Sequence, residues 1–455
     1  MNDTALVLVC KQSIVGRMQL VKETTLGTTL ISLMSIVQVL RLFAYRARLP
    51  LAFDVVPFWL MVGLTIVVAV AINFVYDEWF LRVTQQGRVY FNDKVFGVRR
   101  LSLLAGIMLL GYSFFRPISG DESGSVYVAQ YFADAGYRAF FTNYSTLPWV
   151  GNQHPPLQPI LNGTWMGIFG GHPWLIRLTS ILSAVGVLSI TYQIGKQLFG
   201  QRIGFLSGVA LLLFLNFYQI GSLGNNDMLV TFFFCLTLWL LFQWLNKPSA
   251  SIGLFLAIIT SAILGMLSKY TMVFIMPIGL SWLLLMQRSR PQWRYLIGLL
   301  FFVATLLFAV WIMYSRGIGG LESHFERLFF YAGAARRRGV ARVFSAALRI
   351  PTGFGVYMLP LLFVGVFERI RARKRVDYMI FLWGAGIILP VLLTFPFERY
   401  MLPALPVWAL IAGHGLMRLG DAKWRVVSVA LFFCSQLLLI HALAFSERLP
   451  LLHWF

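Results

Sequence analysis

From residue 26 to residue 445 the chain alternates long apolar stretches with short connections rich in Arg, Lys, Gly and Pro. The apolar stretches approach the ~20 residues that a helix needs to cross a hydrocarbon core. They predict spans at 26–45, 53–76, 101–115, 173–194, 203–219, 227–245, 252–267, 271–286, 295–314, 353–367, 378–395, 401–417 and 425–444. An all-α polytopic membrane protein of about thirteen spans follows, with no long polar segment left for a separate soluble domain. Two connections, 116–172 and 315–352, are too long for turns, and loops of that length usually have a job. Within the first, the stretch from Asp121 to Ala135 alternates apolar and polar residues at helical spacing. It predicts a helix lying along the membrane surface, with Val126, Ala129, Tyr131 and Phe132 on its interfacial face. Residues 77–100 form a polar insert in which Gln85-Gln86-Gly87 reads as a hairpin turn.

Composition agrees with lipid as the solvent: 58% of the residues are hydrophobic and 12% charged, too little polar surface to clothe a soluble globule. The net charge of +21 does not point to nucleic acid, because the bases sit between the apolar runs, where membrane proteins keep them. With the amino terminus inside, Arg82, Arg88, Lys94, Arg99 and Arg100 fall on the cytoplasmic side. So do Arg288, Arg290 and Arg294, and the cluster Arg369, Arg371, Arg373, Lys374 and Arg375. The positive-inside rule then places loops 116–172 and 315–352 outside. Cys10, Cys235 and Cys434 are scattered and suggest neither a disulfide framework nor a zinc site. Residues 1–25 lack the pattern of a cleaved secretory signal, so the first span is expected to stay attached.

Acidic residues are scarce, which singles out Asp121-Glu122 just beyond the third span. A carboxylate at that boundary can take a proton from an attacking hydroxyl, or hold a divalent cation, at the depth of a lipid phosphate. It can equally be a helix amino terminus favoured by the helix dipole. In Gly151-Asn152-Gln153-His154-Pro155-Pro156-Leu157 the prolines fix an extended turn that can aim His154 at the membrane surface, or merely start an interfacial helix. Asn225-Asn226-Asp227 opens a span on the same side and reads as a cap or a site; Lys269 reads as a snorkelling lysine or a phosphate ligand. Arg336, Arg337 and Arg338 run against the usual charge bias, so they either recognise phosphate or contact anionic lipid. Charge and hydropathy alone put all of these elements on one face of the membrane.

The order of Asp121-Glu122, His154-Pro-Pro-Leu157, Asn226-Asp227-Met228-Leu229-Val230-Thr231-Phe232-Phe233, Ser268-Lys269-Tyr270 and Glu398-Arg399-Tyr400-Met401-Leu402-Pro403 resembles the dolichyl-phosphate-mannose protein mannosyltransferases and the related aminoarabinose transferases. The resemblance covers about 101–415; the two spans before it, in an extension over 1–100, are extra to the pattern. It implies a GT-C-type bundle over 101–455, with interfacial helices in the first external loop, acting as a glycosyltransferase on a polyprenyl-phosphate sugar donor. The acceptor would be a hydroxyl of a glycan, lipid or protein on the non-cytoplasmic face, in keeping with a bacterial inner membrane. By that likeness Asp121 is the base or metal-positioning group, with a divalent metal ion as the one implied cofactor, and Glu122 is its partner. His154 stands where the aminoarabinose transferases carry a lysine thought to hold the donor phosphate. Asp227, Lys269, Glu398, Arg399 and Tyr400 flank the same cavity, and Arg336, Arg337 and Arg338 join the phosphate-binding side. The rival reading, a transporter or flippase without catalysis, predicts paired repeats and ionisable groups near the midplane.

Overall fold

The computed structural model describes residues 98–114, 118, 120–148, 154–246, 252–286, 307, 358–393 and 398–418. Every regular element among them is helical. In chain order these are α1 (Val98–Phe114), α2 (Asp121–Asn143), α3 (Leu157–Phe169), α4 (Ile176–Phe199), α5 (Gln201–Leu213) and α6 (Leu215–Gly221). They continue with α7 (Asn226–Asn246), α8 (Ile252–Ser268), α9 (Ile275–Met286), α10 (Leu359–Ala372), α11 (Arg375–Leu393) and α12 (Leu405–Arg418). Short 3-10 turns at Pro173–Leu175, Tyr270–Phe274 and Glu398–Ala404 lead into α4, α9 and α12. The expected spans 26–45, 53–76, 295–314 and 425–444, the turn at Gln85-Gln86-Gly87 and the loop carrying Arg336, Arg337 and Arg338 lie outside the described residues.

The chain divides into two units. One comprises Val98–Gly355 and Gly365–His414 and holds every contact discussed below; the other takes in Met1–Gly97, Val356–Val364 and Gly415–Phe455. Pro173–Phe199, Asn226–Asn246, Arg375–Leu392 and Arg399–Met417 are each long and apolar enough to cross a membrane. Gln201–Leu213, Ile252–Ser268 and Tyr270–Leu285 are apolar but shorter. Leu103, Leu182, Leu256, Leu284 and Leu389 are more than half exposed, the outward leucines of a bundle whose solvent is lipid. This is an integral membrane protein.

Inside the bundle, hydroxyl and indole hydrogen bonds cross between helices beside a core of large apolar side chains that includes Phe214, Phe234 and Trp383. Ser102 Oγ lies 2.8 Å from Ser189 Oγ and joins α1 to α4. Thr237 Oγ1 donates to Ser261 Oγ at 2.8 Å and joins α7 to α8. Trp282 Nε1 donates to the Met379 carbonyl at 3.0 Å, and Trp383 Nε1 to the Pro403 carbonyl at 2.9 Å, fastening α9 to α11 and α11 to the turn before α12. Each such bond contributes on the order of 0.6 kcal/mol in membrane proteins, so they set register more than stability.

Two expectations are corrected. The run read as one span over 203–219 is broken at Phe214, whose backbone is extended, leaving α6 as a separate short helix. An all-apolar stretch has no periodicity from which a break can be read. The surface helix exists and extends to Asn143, with a non-helical Gly136 inside it, but the face expected to meet lipid packs on protein. Ala129 is fully buried with Val126 against Met166 of α3, and Tyr131 and Phe132 pack against Val128 and Phe140. The exposed aromatics of α2 are Tyr127 and Tyr137. In the basic cluster that begins at Arg369, this first arginine is buried. Its Nε donates to Asp377 Oδ1 at 2.5 Å, its Nη1 lies 3.2 Å from His414 Nε2, and its guanidinium sits 4.6 Å over the Phe199 ring. Asp377 also accepts from the Lys374 backbone N–H at 2.8 Å, so one carboxylate ties α10 to the start of α11. Arg371, Arg373, Lys374 and Arg375 are exposed.

Candidate active site

Gly120 enters α2 with φ 57 and ψ −129, a left-handed conformation that favours glycine, and Asp121 and Glu122 form the first helical positions. Neighbouring residues on a helix point about 100° apart. The two carboxylates therefore diverge instead of acting as a pair. Glu122 turns inward and is 1% exposed. Arg177, in the first turn of α4, meets it as a fork: Nε donates to Oε1 and Nη2 to Oε2, both at 2.8 Å. Arg177 Nη1 also donates to the Ser113 carbonyl at the end of α1. The Gly224 N–H donates to Glu122 Oε1 at 2.8 Å, and the Gly224 carbonyl accepts from Gln158 Nε2 of α3 at 2.6 Å. A Cβ on Gly224 would stand 2.4 Å from Ile176 side-chain atoms, so only glycine fits. One buried carboxylate thus holds the ends of α1 and α2, the start of α4 and the loop before α7 in a single register.

That loop delivers Asn226 and Asp227. Asn226 Nδ2 lies 3.2 Å from His154 Nδ1 and 3.4 Å from the Ser268 carbonyl. With the amide donating, the imidazole carries its proton on Nε2. Behind His154, its own carbonyl accepts from the Tyr144 hydroxyl at 2.6 Å. Burial, with Tyr270 adding, pushes the Tyr144 phenol well above its ordinary range and keeps it a neutral donor. The prolines fix the segment as expected: His154 and Pro155 are non-helical, and α3 starts at Leu157.

Asp227 pairs with Lys269, each 3% exposed. The Lys269 backbone is extended between α8 and the following 3-10 turn, which aims the ammonium inward, 4.4 Å from the centroid of the Tyr400 ring. Arg399 Cζ lies 5.5 Å from the same ring. Arg399 Nη1 donates to Asp121 Oδ2 at 2.5 Å, and this pair is open, with the side chains 35% and 45% exposed. A continuous chain of contacts therefore runs Asp227, Lys269, Tyr400, Arg399, Asp121. Its two ion pairs differ in kind. Exposed pairs contribute about 0–1 kcal/mol, whereas removing one member of a buried pair costs about 3–5 kcal/mol because a charge is left stranded.

Of the residues singled out in the sequence, Asp121, Asp227, Lys269, Arg399 and Tyr400 come together directly, and His154 joins through Asn226. Glu122 faces Arg177 on the other side of its helix. Glu398 opens the 3-10 turn that carries Arg399 and Tyr400. Sequence reasoning missed Arg177, although an arginine inside a predicted span is itself a signal. Among the described residues no group of three or more His, Cys, Asp and Glu side chains gathers to hold a metal. A divalent cation takes several oxygen ligands, while Asp121 is met here by a guanidinium and Glu122 is committed to Arg177. The donor set described around Asp121 does not fit a resident ion.

The fold is the GT-C type implied by the motifs. ArnT from Cupriavidus metallidurans bound to undecaprenyl phosphate superimposes with a TM-score of 0.58 at 19% identity, over 74% of this chain and 62% of that one. Apo ArnT gives 0.56 at 19% identity, over 72% and 60%. Residues 153–314 match the family model described as dolichyl-phosphate-mannose-protein mannosyltransferase, a stretch that includes His154, Asp227 and Lys269 and begins after Asp121. An uncharacterized protein of Aquifex aeolicus (strain VF5) is 24% identical over 299 residues, 64% of this chain and 58% of that protein. The chain spans about six tenths of the length of these relatives.

Proposed function

We propose that this protein is a membrane glycosyltransferase that moves a sugar from a polyprenyl-phosphate donor to an acceptor hydroxyl, with inversion, on the non-cytoplasmic face of a bacterial inner membrane. The observation that carries the reading is the half-exposed Asp121 carboxylate, standing at the start of a surface helix beside Arg399 and linked through Tyr400 to Lys269. A base must be reachable by its substrate, and Asp121 is reachable where Glu122 is not. The acceptor hydroxyl gives its proton to Asp121 as its oxygen attacks the anomeric carbon. The departing phosphate gathers charge, and cations close to the leaving oxygen lower that cost. Lys269, Arg399 and the Arg336, Arg337 and Arg338 run supply the positive side, and the neutral His154 offers its Nε2–H as a hydrogen-bond donor. The undecaprenyl phosphate bound by ArnT and the name of the matching family support a lipid-phosphate donor. The donor arrives already activated, in keeping with a sequence that shows neither the G-x-G-x-x-G nor the G-x-x-x-x-G-K-[ST] pattern. The acceptor is a glycan, lipid or protein hydroxyl. Mass spectrometry of the polyprenyl-phosphate species that co-purify with the full chain names the donor. A preparation that neither carries nor binds any such lipid overturns the reading.

A further inference from the structure

We propose that the Asp121–Arg399 ion pair is a gate opened by the donor's own phosphate: Arg399 exchanges the carboxylate for phosphate oxygens, and Asp121 becomes free to take the acceptor's proton. The inference rests on the lipid-phosphate reading above and adds an order to it, donor before acceptor activation.

Burial separates the described cations of this region. Arg177 is 1% exposed and forked onto Glu122; Lys269 is 3% exposed, paired with Asp227 and set against the Tyr400 ring. Arg399 is 35% exposed at its side chain. An anion arriving from the membrane surface therefore reaches Arg399 first. A guanidinium suits phosphate, which it can bind with two parallel N–H donors. Exchange is feasible because the pair it breaks is exposed and screened, unlike the two buried pairs beside it. Tyr400 lies 5.5 Å from Arg399 Cζ and 4.4 Å from Lys269 Nζ, so the guanidinium keeps its ring contact when its carboxylate leaves.

While the pair is closed, Asp121 Oδ2 accepts an N–H and the positive charge of the guanidinium opposes proton uptake by the carboxylate. Once it opens, the acceptor O–H proton passes to Asp121, the new O–C1 bond forms, and the C1–O(phosphate) bond breaks with its electrons going to phosphate. The phosphate, singly charged as a diester, leaves doubly charged against Arg399. The proton on Asp121 is lost to solvent.

The test reads Asp121 directly rather than turnover. Detergent-solubilised full-length protein is treated with a water-soluble carbodiimide and an amine, and modification of Asp121 is quantified by peptide mass spectrometry. Measurements are made with a polyprenyl phosphate, with the matching polyprenol, and with neither; native mass spectrometry scores binding in the same samples. The expected result is a several-fold rise in Asp121 labelling with the phosphate and none with the polyprenol. In Arg399→Gln, labelling should be high from the start and indifferent to the lipid. If the phosphate binds while Asp121 labelling stays flat, the gate is overturned and the donor reading stands. An equal rise with polyprenol, or a phosphate response that persists in Arg399→Gln, also overturns the gate. Failure of any polyprenyl phosphate to bind the wild-type protein removes the donor reading itself.

Discussion

Asp121 and Arg399, separated by 278 positions in the chain, meet at 2.5 Å on the open side of the bundle, while Glu122, the next residue, is closed off on Arg177. One helical step divides an open carboxylate from a buried, structural one.

Asp121→Asn keeps size and hydrogen-bonding shape but removes the proposed proton acceptor. A general base contributes ~10²–10⁴ in rate, so sugar transfer should fall at least about a hundredfold. The pair lost is exposed, so thermal stability should change by less than about 1 kcal/mol. Transfer near the wild-type rate by purified Asp121→Asn protein would place the base elsewhere.

Glu122→Gln should behave differently. It leaves Arg177 charged and buried with its fork broken, and the Gly224 loop loses the charge that anchors it. Stranding a buried charge costs about 3–5 kcal/mol, so a large fall in melting temperature and yield is expected, and Arg177→Met should restore part of it in the double variant. A Glu122→Gln protein that melts like wild type but has lost turnover would return this residue to the chemistry.

Lys269→Ala strands Asp227 in the same way and should destabilise the protein by a comparable amount. Loss of stability should therefore accompany any rise in the apparent donor requirement. A weaker donor response at unchanged stability would mean that Lys269 contacts the phosphate itself.

Chelation bears on Asp121 from another side. With Asp121 paired to a guanidinium, transfer should survive excess EDTA. Loss of activity that magnesium or manganese restores would assign a cation to this carboxylate and displace Arg399 from it.

The charge pattern orients the chain. In a cysteine-free background, Ser145→Cys and Ser289→Cys should be labelled by a membrane-impermeant maleimide from opposite faces. Labelling of both from one side would reverse the topology.

Much of this was legible in the sequence because it is local. Apolar run length fixes where helices cross lipid, and α7, α8, α11 and α12 fall close to the runs that predict them. Charge distribution and motif order put Asp121, His154, Asp227, Lys269, Arg399 and Tyr400 on one face, and the structure brings them into one chain of contacts. What the sequence left open was decided by partners far away along the chain. Nothing local distinguishes Asp121 from Glu122; the difference is that α4 brings Arg177, 55 positions on, to the inner face of α2. The apolar stripe of α2 looked lipid-facing because hydropathy records that a face is buried, not what buries it, and α3 turned out to be the cover. Local spacing determines which faces a helix hides, while ion pairs and helix-helix contacts are long-range, and only the tertiary structure decides which carboxylate stays open to a substrate.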